Sequence, residues 1–281
     1  EQNMSDLELA KEVWAEIQRE EQEPVLRFAL EPGEAGLAES KVGGTPYLPR
    51  EMPWPLDGGG NSMGLLAQVD CRELSALPDF PHRGLLQFFV AYDDLYGMDF
   101  DDITACGGFR VLFHESVDTS VTAEEVEARR PAPPEGAELT SSPLYGRVCR
   151  IRFSAPALQG MAKGDYRFDG LFVQKWNERR LDSPIDSTWD VDLSWLYGGE
   201  ERGPYHQLGG YPYFTQTDPR WGGVYPDLDV LLFQLDSQLA ENRGEPDLVL
   251  WGDCGVGNFF ISREALKKRD FSRVGYHWDC C

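Results

Sequence analysis

The first apolar pattern along the chain repeats every three to four residues, as on one face of a helix. Its members are Leu7, Ala10, Val13, Trp14 and Ile17. Ser5 and Glu8 form a capping-box sequence at its start, so the pattern predicts a helix from Ser5 to about Gln22. Because the stripe is one-sided, we expect residues 1–24 to pack as an N-terminal helix on the body of the protein. Residues 25–281 are predicted to form a single domain.

Beyond this helix, short apolar or alternating segments predict mostly strands. These segments are Leu65–Val69, Leu85–Tyr92, Phe109–His114 and Val148–Phe153. Ser120–Arg130 is predicted to be a helix that Pro131 ends. The four prolines within residues 131–143 indicate an exposed loop. Together these elements predict an α+β fold with largely antiparallel sheets and few helices.

A stretch of 30 residues recurs later in the chain. Lys41–Asp70 aligns with Gln207–Asp236 without a gap, at a constant offset of 166 residues, and nine of the 30 positions are identical. Average composition would give about two identities. Each copy contains a GGxPY sequence, starting at Gly43 and at Gly209, and ends in a QxD sequence.

Two shorter matches follow in the same order. Gln87–Phe89 aligns with Asn258–Phe260, and Arg110–His114 aligns with Arg273–His277. Collinear matches of this kind predict an internal duplication.

The predicted halves lie at about residues 40–155 and 206–281, and residues 156–205 join them. We expect the halves to bury matching faces about a pseudo-twofold axis. His114 and His277 stand at matching positions of the repeat, which favours packed structural histidines over a catalytic pair.

Composition narrows the classes of function. The chain has 281 residues, with 26 Lys and Arg against 48 Asp and Glu, and its net charge is −22. That excess of negative charge argues against binding to nucleic acid or to an anionic membrane. No secretory signal is visible, and the six cysteines include no CxxC pair. We therefore expect a cytoplasmic protein with reduced thiols.

Several motifs together resemble those of the YwqG-like family, a bacterial family of unknown function. The motifs are Gly43–Pro46, Leu65–Asp70, Gly84–Phe89 followed by Asp93–Phe100, His206–Pro212, Trp251–Phe260 and the closing Trp278–Cys281. The resemblance covers about residues 25–281. It implies a cytosolic α+β protein and brings no established catalytic residues. The resemblance also suggests a role in protein interaction, because it links the chain to relatives near bacterial toxin–immunity loci.

One short motif points to covalent chemistry. Gly252-Asp253-Cys254-Gly255 resembles the nucleophile segment of chymotrypsin-like proteases, with Cys in place of Ser. A Cys nucleophile needs a base, and His206 and His277 are the candidates for that role, with the other two histidines, His82 and His114, as further options. The alternative is a tight glycine-rich turn between two strands.

An acidic loop is a candidate for a divalent cation. Its carboxylates are Asp93, Asp94, Asp99, Asp101 and Asp102. Ca²⁺ or Mg²⁺ would relieve their mutual repulsion. The spacing differs from an EF-hand loop, however, so we favour a solvated acidic loop and predict no cofactor.

The two glycine-rich loops are candidates for a ligand site. If the loops converge on a cleft between the halves, aromatic walls and polar anchors would suit a small ligand or a peptide. The candidate residues are Gly43, Gly44, Tyr47, Trp54, Gln68, Gly209, Gly210, Tyr211, Gln234, Asp253 and Asn258. The alternative is that the glycines set turns and the aromatic side chains fill the core.

The leading hypothesis is therefore a non-enzymatic cytoplasmic protein that binds a small ligand or a protein partner at this cleft. One alternative is a Cys-dependent hydrolase with Cys254 as its nucleophile. The other is an immunity-like protein that binds a basic toxin, since a charged partner of so acidic a chain is expected to be a basic protein or a metal ion.

Overall fold

The computed structural model of the protein describes residues 4–198 and 203–281. The strands are β1 Gln22–Pro32, β2 Lys41–Val42, β3 Gly64–Asp70, β4 Leu85–Val90, β5 Phe109–His114, β6 Cys149–Phe153, β7 Ala157–Gly160, β8 Gln207–Gly209, β9 Val230–Asp236, β10 Val256–Ile261 and β11 Gly275–Asp279. The α-helices are α1 Asp6–Glu20, α2 Ala123–Glu127, α3 Ala137–Thr140, α4 Phe168–Arg179 and α5 Arg263–Lys267.

The eleven strands belong to one sheet of antiparallel pairs. Their order is β11-β10-β9-β8-β1-β6-β2-β3-β4-β5, and β7 pairs with the first residues of β1, Gln22–Val25. Seen from the two ends, β11-β10-β9-β8 and β5-β4-β3-β2 flank the central strands β1 and β6. The prediction of a largely antiparallel α+β protein is confirmed.

The sheet curves until its two ends approach each other. One core contains side chains from both halves of the strand order. The rings of Phe88 on β4 and Phe233 on β9 stack at 4.5 Å between centroids, and those of Phe109 and Tyr276 lie 5.4 Å apart. The Tyr276 amide donates to the Ile103 carbonyl at 2.9 Å. The segment between β4 and β5 thus helps to close the sheet into a nearly complete barrel.

Helix α1 begins at the predicted cap. Ser5 and Glu8 form both hydrogen bonds of a capping box, which confirms that part of the prediction. The buried stripe is shifted, however: it consists of Leu9, Ala10, Val13 and Ile17, whereas Leu7 is 48% exposed. Leu9, Val13 and Ile17 recur every four residues and so lie on one face of α1. This face packs against the aromatic side chains of α4.

The strand predictions are accurate and the helix at Ser120–Arg130 is too long. Thr122 caps the helix through a capping box with Glu125, so α2 begins only at Ala123. The segment after it, predicted to be an exposed loop, contains α3, and Ala137 of that helix is buried. Four prolines did not prevent this short turn from forming, because none of them lies inside it.

Two of the three sequence matches coincide with the sheet register. Gln68 lies opposite Gln87 in β3–β4, and Gln234 lies opposite Asn258 in β9–β10. Both strand pairs also carry a bulge two residues before that glutamine.

The third match fails in the sheet. In the first half, His114 lies opposite Leu85 of β4. When the match between Gln87 and Asn258 is extended along the two strands, Leu85 corresponds to Val256 of β10. Val256 lies opposite Asp279, whereas His277 lies two residues away, opposite Asn258. The prediction that the two histidines occupy matching positions is therefore wrong. The connections before the last strand of each half differ in length, and connection length sets register.

Candidate functional site

The predicted polar anchor Gln68 holds the first GGxPY loop in place. Its Oε1 accepts from the Tyr47 amide at 3.0 Å and from Gln87 Nε2 at 2.8 Å. Its Nε2 donates to the carbonyls of Leu37 and Glu39, both at 2.9 Å. Because the side chain is fully buried and its bonding capacity is used, Gln68 has a structural role.

The second loop is held in a similar way. Gln234 Oε1 accepts from the Tyr213 amide at 2.8 Å and from Asn258 Nδ2 at 2.7 Å, and Gln234 Nε2 donates to the Tyr205 carbonyl at 2.7 Å. Tyr211 is buried, and its amide donates to Gln159 Oε1 at 2.8 Å. Asp253, by contrast, is exposed.

The two glycine pairs line separate cavities. Gly43, Gly44 and Trp54 line a cavity of about 240 Å³, which we call the first glycine cavity. Gly209 and Gly210 line a cavity of about 30 Å³, the second glycine cavity. The structure therefore does not bring the two pairs together around one cleft.

Close backbone approach explains the glycines of the first cavity. Gly43 has φ +73°, and a Cβ there would lie 2.3 Å from the carbonyl oxygen of Arg147. A Cβ on Gly64 would lie 2.3 Å from the hydroxyl of Tyr92. Gly64 stands at the position that Val230 occupies in the second copy of the repeat. The missing side chain leaves room for Tyr92 in the wall of the first cavity.

One arginine of the first cavity is neutralised. Arg130 forms an ion pair with Glu138, and its Nη2 donates to the Tyr92 hydroxyl at 3.2 Å. Its guanidinium carbon lies 5.2 Å from the centroid of the Trp54 ring. Burial raises the pKa of Tyr92, so the hydroxyl stays protonated at neutral pH.

A second arginine is left without a carboxylate. Arg147 lines the same cavity, and its Nε is buried without a hydrogen-bond partner among the described residues. No Asp or Glu of the described chain forms an ion pair with Arg147 within 4.0 Å. Glu138, which also lines the cavity, is paired with Arg130 instead. A buried guanidinium donor without an acceptor costs free energy, about 1–3 kcal/mol.

The second glycine cavity lacks this feature. Arg167 Nε lies 2.8 Å from Asp165 Oδ1, and Arg263 forms ion pairs with Glu23, at 2.9 Å, and with Asp79. Both arginines that line this cavity therefore have carboxylate partners. Its small volume leaves room for about one or two water molecules.

The hydrogen bonds of the histidine rings in the described residues go to groups other than Cys254. Cys254 is exposed and has φ +76°, as expected in a tight turn. Partial burial, and then the charge of Asp236, raise the pKa of its thiol, which disfavours the nucleophilic thiolate.

Of the two proposed bases, His206 is buried and His277 is half-buried. His206 Nε2 bonds Gln238 Oε1 at 2.8 Å, and its Nδ1 accepts from the Asp236 amide at 3.0 Å, so both ring nitrogens are engaged. Burial lowers the pKa of His206 to about 4. Burial also lowers the pKa of His277, and its Nδ1 has no partner among the described residues.

The acidic loop organises its own backbone. Asp93 Oδ1 accepts from the amides of Leu95 and Gly97, both at 2.9 Å. Asp99 Oδ1 accepts from the amides of Asp101 and Asp102 at 2.9 and 3.0 Å. Within residues 4–198 and 203–281, no three His, Cys, Asp or Glu side chains are grouped to hold a metal ion. Turn formation accounts for much of the local excess of Asp.

Sequence reasoning missed Gly64, Tyr92, Arg130 and Arg147. The last two flank the proline-rich segment, and contacts of such a segment with a distant loop leave no periodic pattern. One usable signal was present: Gly64 aligns with Val230, so the two copies of the repeat differ in side-chain volume at a cavity wall.

Comparison with known proteins gives one result. Residues 40–280 match a family described as a domain of unknown function, DUF1963. No curated protein matches the chain. All six cysteines are free thiols. In the part of the chain that the structure describes, every helix is too short or too polar to cross a bilayer.

Proposed function

The chain belongs to the DUF1963 family, whose domain has no known function, and from that premise we propose that it is a non-enzymatic binding protein for a small molecule. The binding site is the first glycine cavity. One observation carries the proposal: the two halves share a strand pattern, yet the cavity has about 240 Å³ in one half and about 30 Å³ in the other. Such a difference in cavity volume between two similar halves is hard to explain by folding alone.

We further infer that the halves arose by internal duplication and that the protein is a YwqG-like protein of the bacterial cytoplasm. The shared register of β3–β4 and β9–β10, with a bulge at the same place, supports the duplication. The Cys254 hydrolase and the immunity-like protein have less support, because Cys254 has a raised pKa and no feature of the described surface identifies a basic toxin as partner.

A thermal-shift screen against small metabolites tests the proposal. The blocking variant is Glu34→Trp, since Glu34 is exposed and lines the cavity. Glu241→Trp, at an exposed site elsewhere, is the matched control. A ligand at 100 times its dissociation constant adds about 2.7 kcal/mol of stability, or roughly 5 °C or more in Tm.

We expect at least one compound to raise the Tm of the wild type and of Glu241→Trp while leaving the Tm of Glu34→Trp unchanged. If every stabilising compound acts equally on Glu34→Trp, or if none stabilises the wild type, the cavity is not a ligand site.

A further inference from the structure

We propose that the first glycine cavity binds an anionic group, a carboxylate or a phosphate, through the guanidinium of Arg147. This inference rests on the proposed function and specifies the chemistry of the ligand. It begins from the one guanidinium of that cavity that lacks a carboxylate within the described chain.

The unmet bonding capacity of Arg147 calls for an acceptor from outside the chain. Its Nε is buried without a partner, as is that of Arg130, but Arg147 in addition forms no ion pair among the described residues. A guanidinium presents its donors in a planar fork that matches the oxygens of a carboxylate or a phosphate in pairs. A ligand anion in the cavity would accept from the two Nη groups, which are not sealed from solvent as Nε is, and would neutralise the charge at the same time.

The backbone holds Arg147 in position before any ligand arrives. Its amide donates to the Leu144 carbonyl at 2.8 Å, and its carbonyl packs against Gly43. Two residues later, Cys149 begins β6, where it lies opposite Pro32 of β1 and Val42 of β2. These contacts hold the backbone of Arg147 at the cavity wall, so ligand binding has to order only its side chain.

The other charges of the cavity leave Arg147 as the anion receptor. Arg130 is paired with Glu138, and its ring contact with Trp54 keeps it against the wall. Glu127 accepts from the Thr45 hydroxyl at 2.7 Å. Glu34 is exposed at the rim and would repel a second negative group. The lining therefore favours a ligand with a single anionic group.

The charge of the whole chain adds a size limit. A net charge of −22 repels polyanions at long range. Salt at physiological strength screens this field beyond about 8 Å, so a small anion can still reach a local positive site. The expected ligand is thus a small acid or a small phosphate ester rather than a nucleic acid.

Calorimetric titration with two probes tests the inference. The probes are inorganic phosphate and acetate, compared at equal ionic strength against chloride. The phosphate arm and the acetate arm distinguish the two anion chemistries. Arg147→Gln removes the charge, and Arg147→Lys keeps a charge without the planar fork. Arg243→Gln alters an exposed arginine between β9 and β10 that does not line the cavity.

We expect phosphate or acetate to bind the wild type and Arg243→Gln with equal affinity. The dissociation constant should rise at least about tenfold in Arg147→Gln and by a smaller factor in Arg147→Lys. Equal affinity in wild type and Arg147→Gln for every probe that binds would overturn the inference, and so would the failure of both probes to bind the wild type.

A second measurement does not depend on how the variants fold. Phenylglyoxal modifies accessible arginines, and mass spectrometry of the wild-type protein locates the modified residues. The anion that binds should slow modification of Arg147 and leave that of Arg243 unchanged. Equal protection of the two arginines would contradict the proposed site.

The outcomes separate this inference from the proposed function. Suppose that a neutral or cationic compound stabilises the wild type and Arg147→Gln equally but does not stabilise Glu34→Trp. The binding function would then stand, and the inference of an anionic ligand would be wrong. If no compound of any charge distinguishes Glu34→Trp from Glu241→Trp, the function itself fails.

Discussion

Acidification should destabilise the protein well above the pH at which its carboxylates are protonated, because two histidines are buried in neutral form. His114 is 7% exposed and His206 is 1% exposed. Burial lowers the pKa of each from 6.5 to about 4. The unfolded chain therefore binds more protons than the folded chain between these values, and stability is lost as the pH falls through that window.

Burial keeps His114 neutral, and the hydrogen bonds around it identify which ring nitrogen carries the proton. Gln68 Oε1 accepts from a backbone amide, so the Gln87 atom facing it must be the amide nitrogen. Gln87 Oε1 is then the atom that accepts from His114 Nε2–H, at 2.7 Å. The ring of His114 faces Tyr47, and no carboxylate contributes to its pKa.

The magnitude follows from the pKa values. When the pH falls from about 7.5 to 5, each of the two histidines lowers the free energy of unfolding by about 2 kcal/mol. Asp236 acts in the opposite direction, because burial raises its pKa from 3.8 to about 6. The folded state then binds the extra proton, which returns about 1.4 kcal/mol over the same interval. The expected net loss is about 2.5 kcal/mol, and His277, whose pKa is also lowered, adds to it.

Urea unfolding at several pH values, in about 0.5 M NaCl to screen the net charge, measures this loss. His114→Gln should make the loss about 2 kcal/mol smaller. NMR titration of the histidine rings gives the individual pKa values. A free energy of unfolding that is constant or rises between about pH 7.5 and pH 5, or a His114 ring that titrates near its ordinary pKa, would refute the reasoning.

Three further substitutions test the fold around the site by urea unfolding. Gln68→Ala removes four hydrogen bonds, two of them fully buried, so it should cost about 3 kcal/mol or more. The exposed Gln174→Ala should stay within about 0.5 kcal/mol, and equal effects of the two substitutions would contradict the structural role of Gln68. Gly43→Ala should cost more than about 2 kcal/mol because its Cβ would meet the Arg147 carbonyl, whereas Gly60→Ala, also at positive φ but in open space, should cost about 1 kcal/mol. A Gly43→Ala protein as stable as Gly60→Ala would show that the loops do not pack closely. Arg220→Met removes the fully buried partner of Asp165 and Asp218 and should cost about 3–5 kcal/mol, and a loss under about 1 kcal/mol would show that this ion-pair network is not buried as described.

The strands were predictable because their signal is local. Phe109–His114 alternates apolar and polar residues, and the structure has a strand with the same bounds. The capping box of Ser5 and Glu8 was equally legible, because both hydrogen bonds lie within four residues.

The site was less predictable because its contacts join distant segments. Gly43 approaches the carbonyl of Arg147 across about a hundred residues, and no spacing in the sequence encodes that contact. The glycines and glutamines of the repeat were recognised as special, yet Gln68 and Gln234 turned out to hold the loops. Whether a polar side chain holds a loop or faces a ligand depends on which backbone groups it meets, and this becomes visible only in the fold.

An anomalous difference map tests the central claim most directly. Arsenate has the shape and charge of phosphate and scatters anomalously, so crystals soaked in arsenate would show where such an anion binds. The account predicts a peak within hydrogen-bond distance of the Arg147 guanidinium, inside the first glycine cavity. It predicts none in the second glycine cavity, whose arginines are already paired. An empty first cavity, with peaks only at exposed arginines such as Arg243, would contradict it.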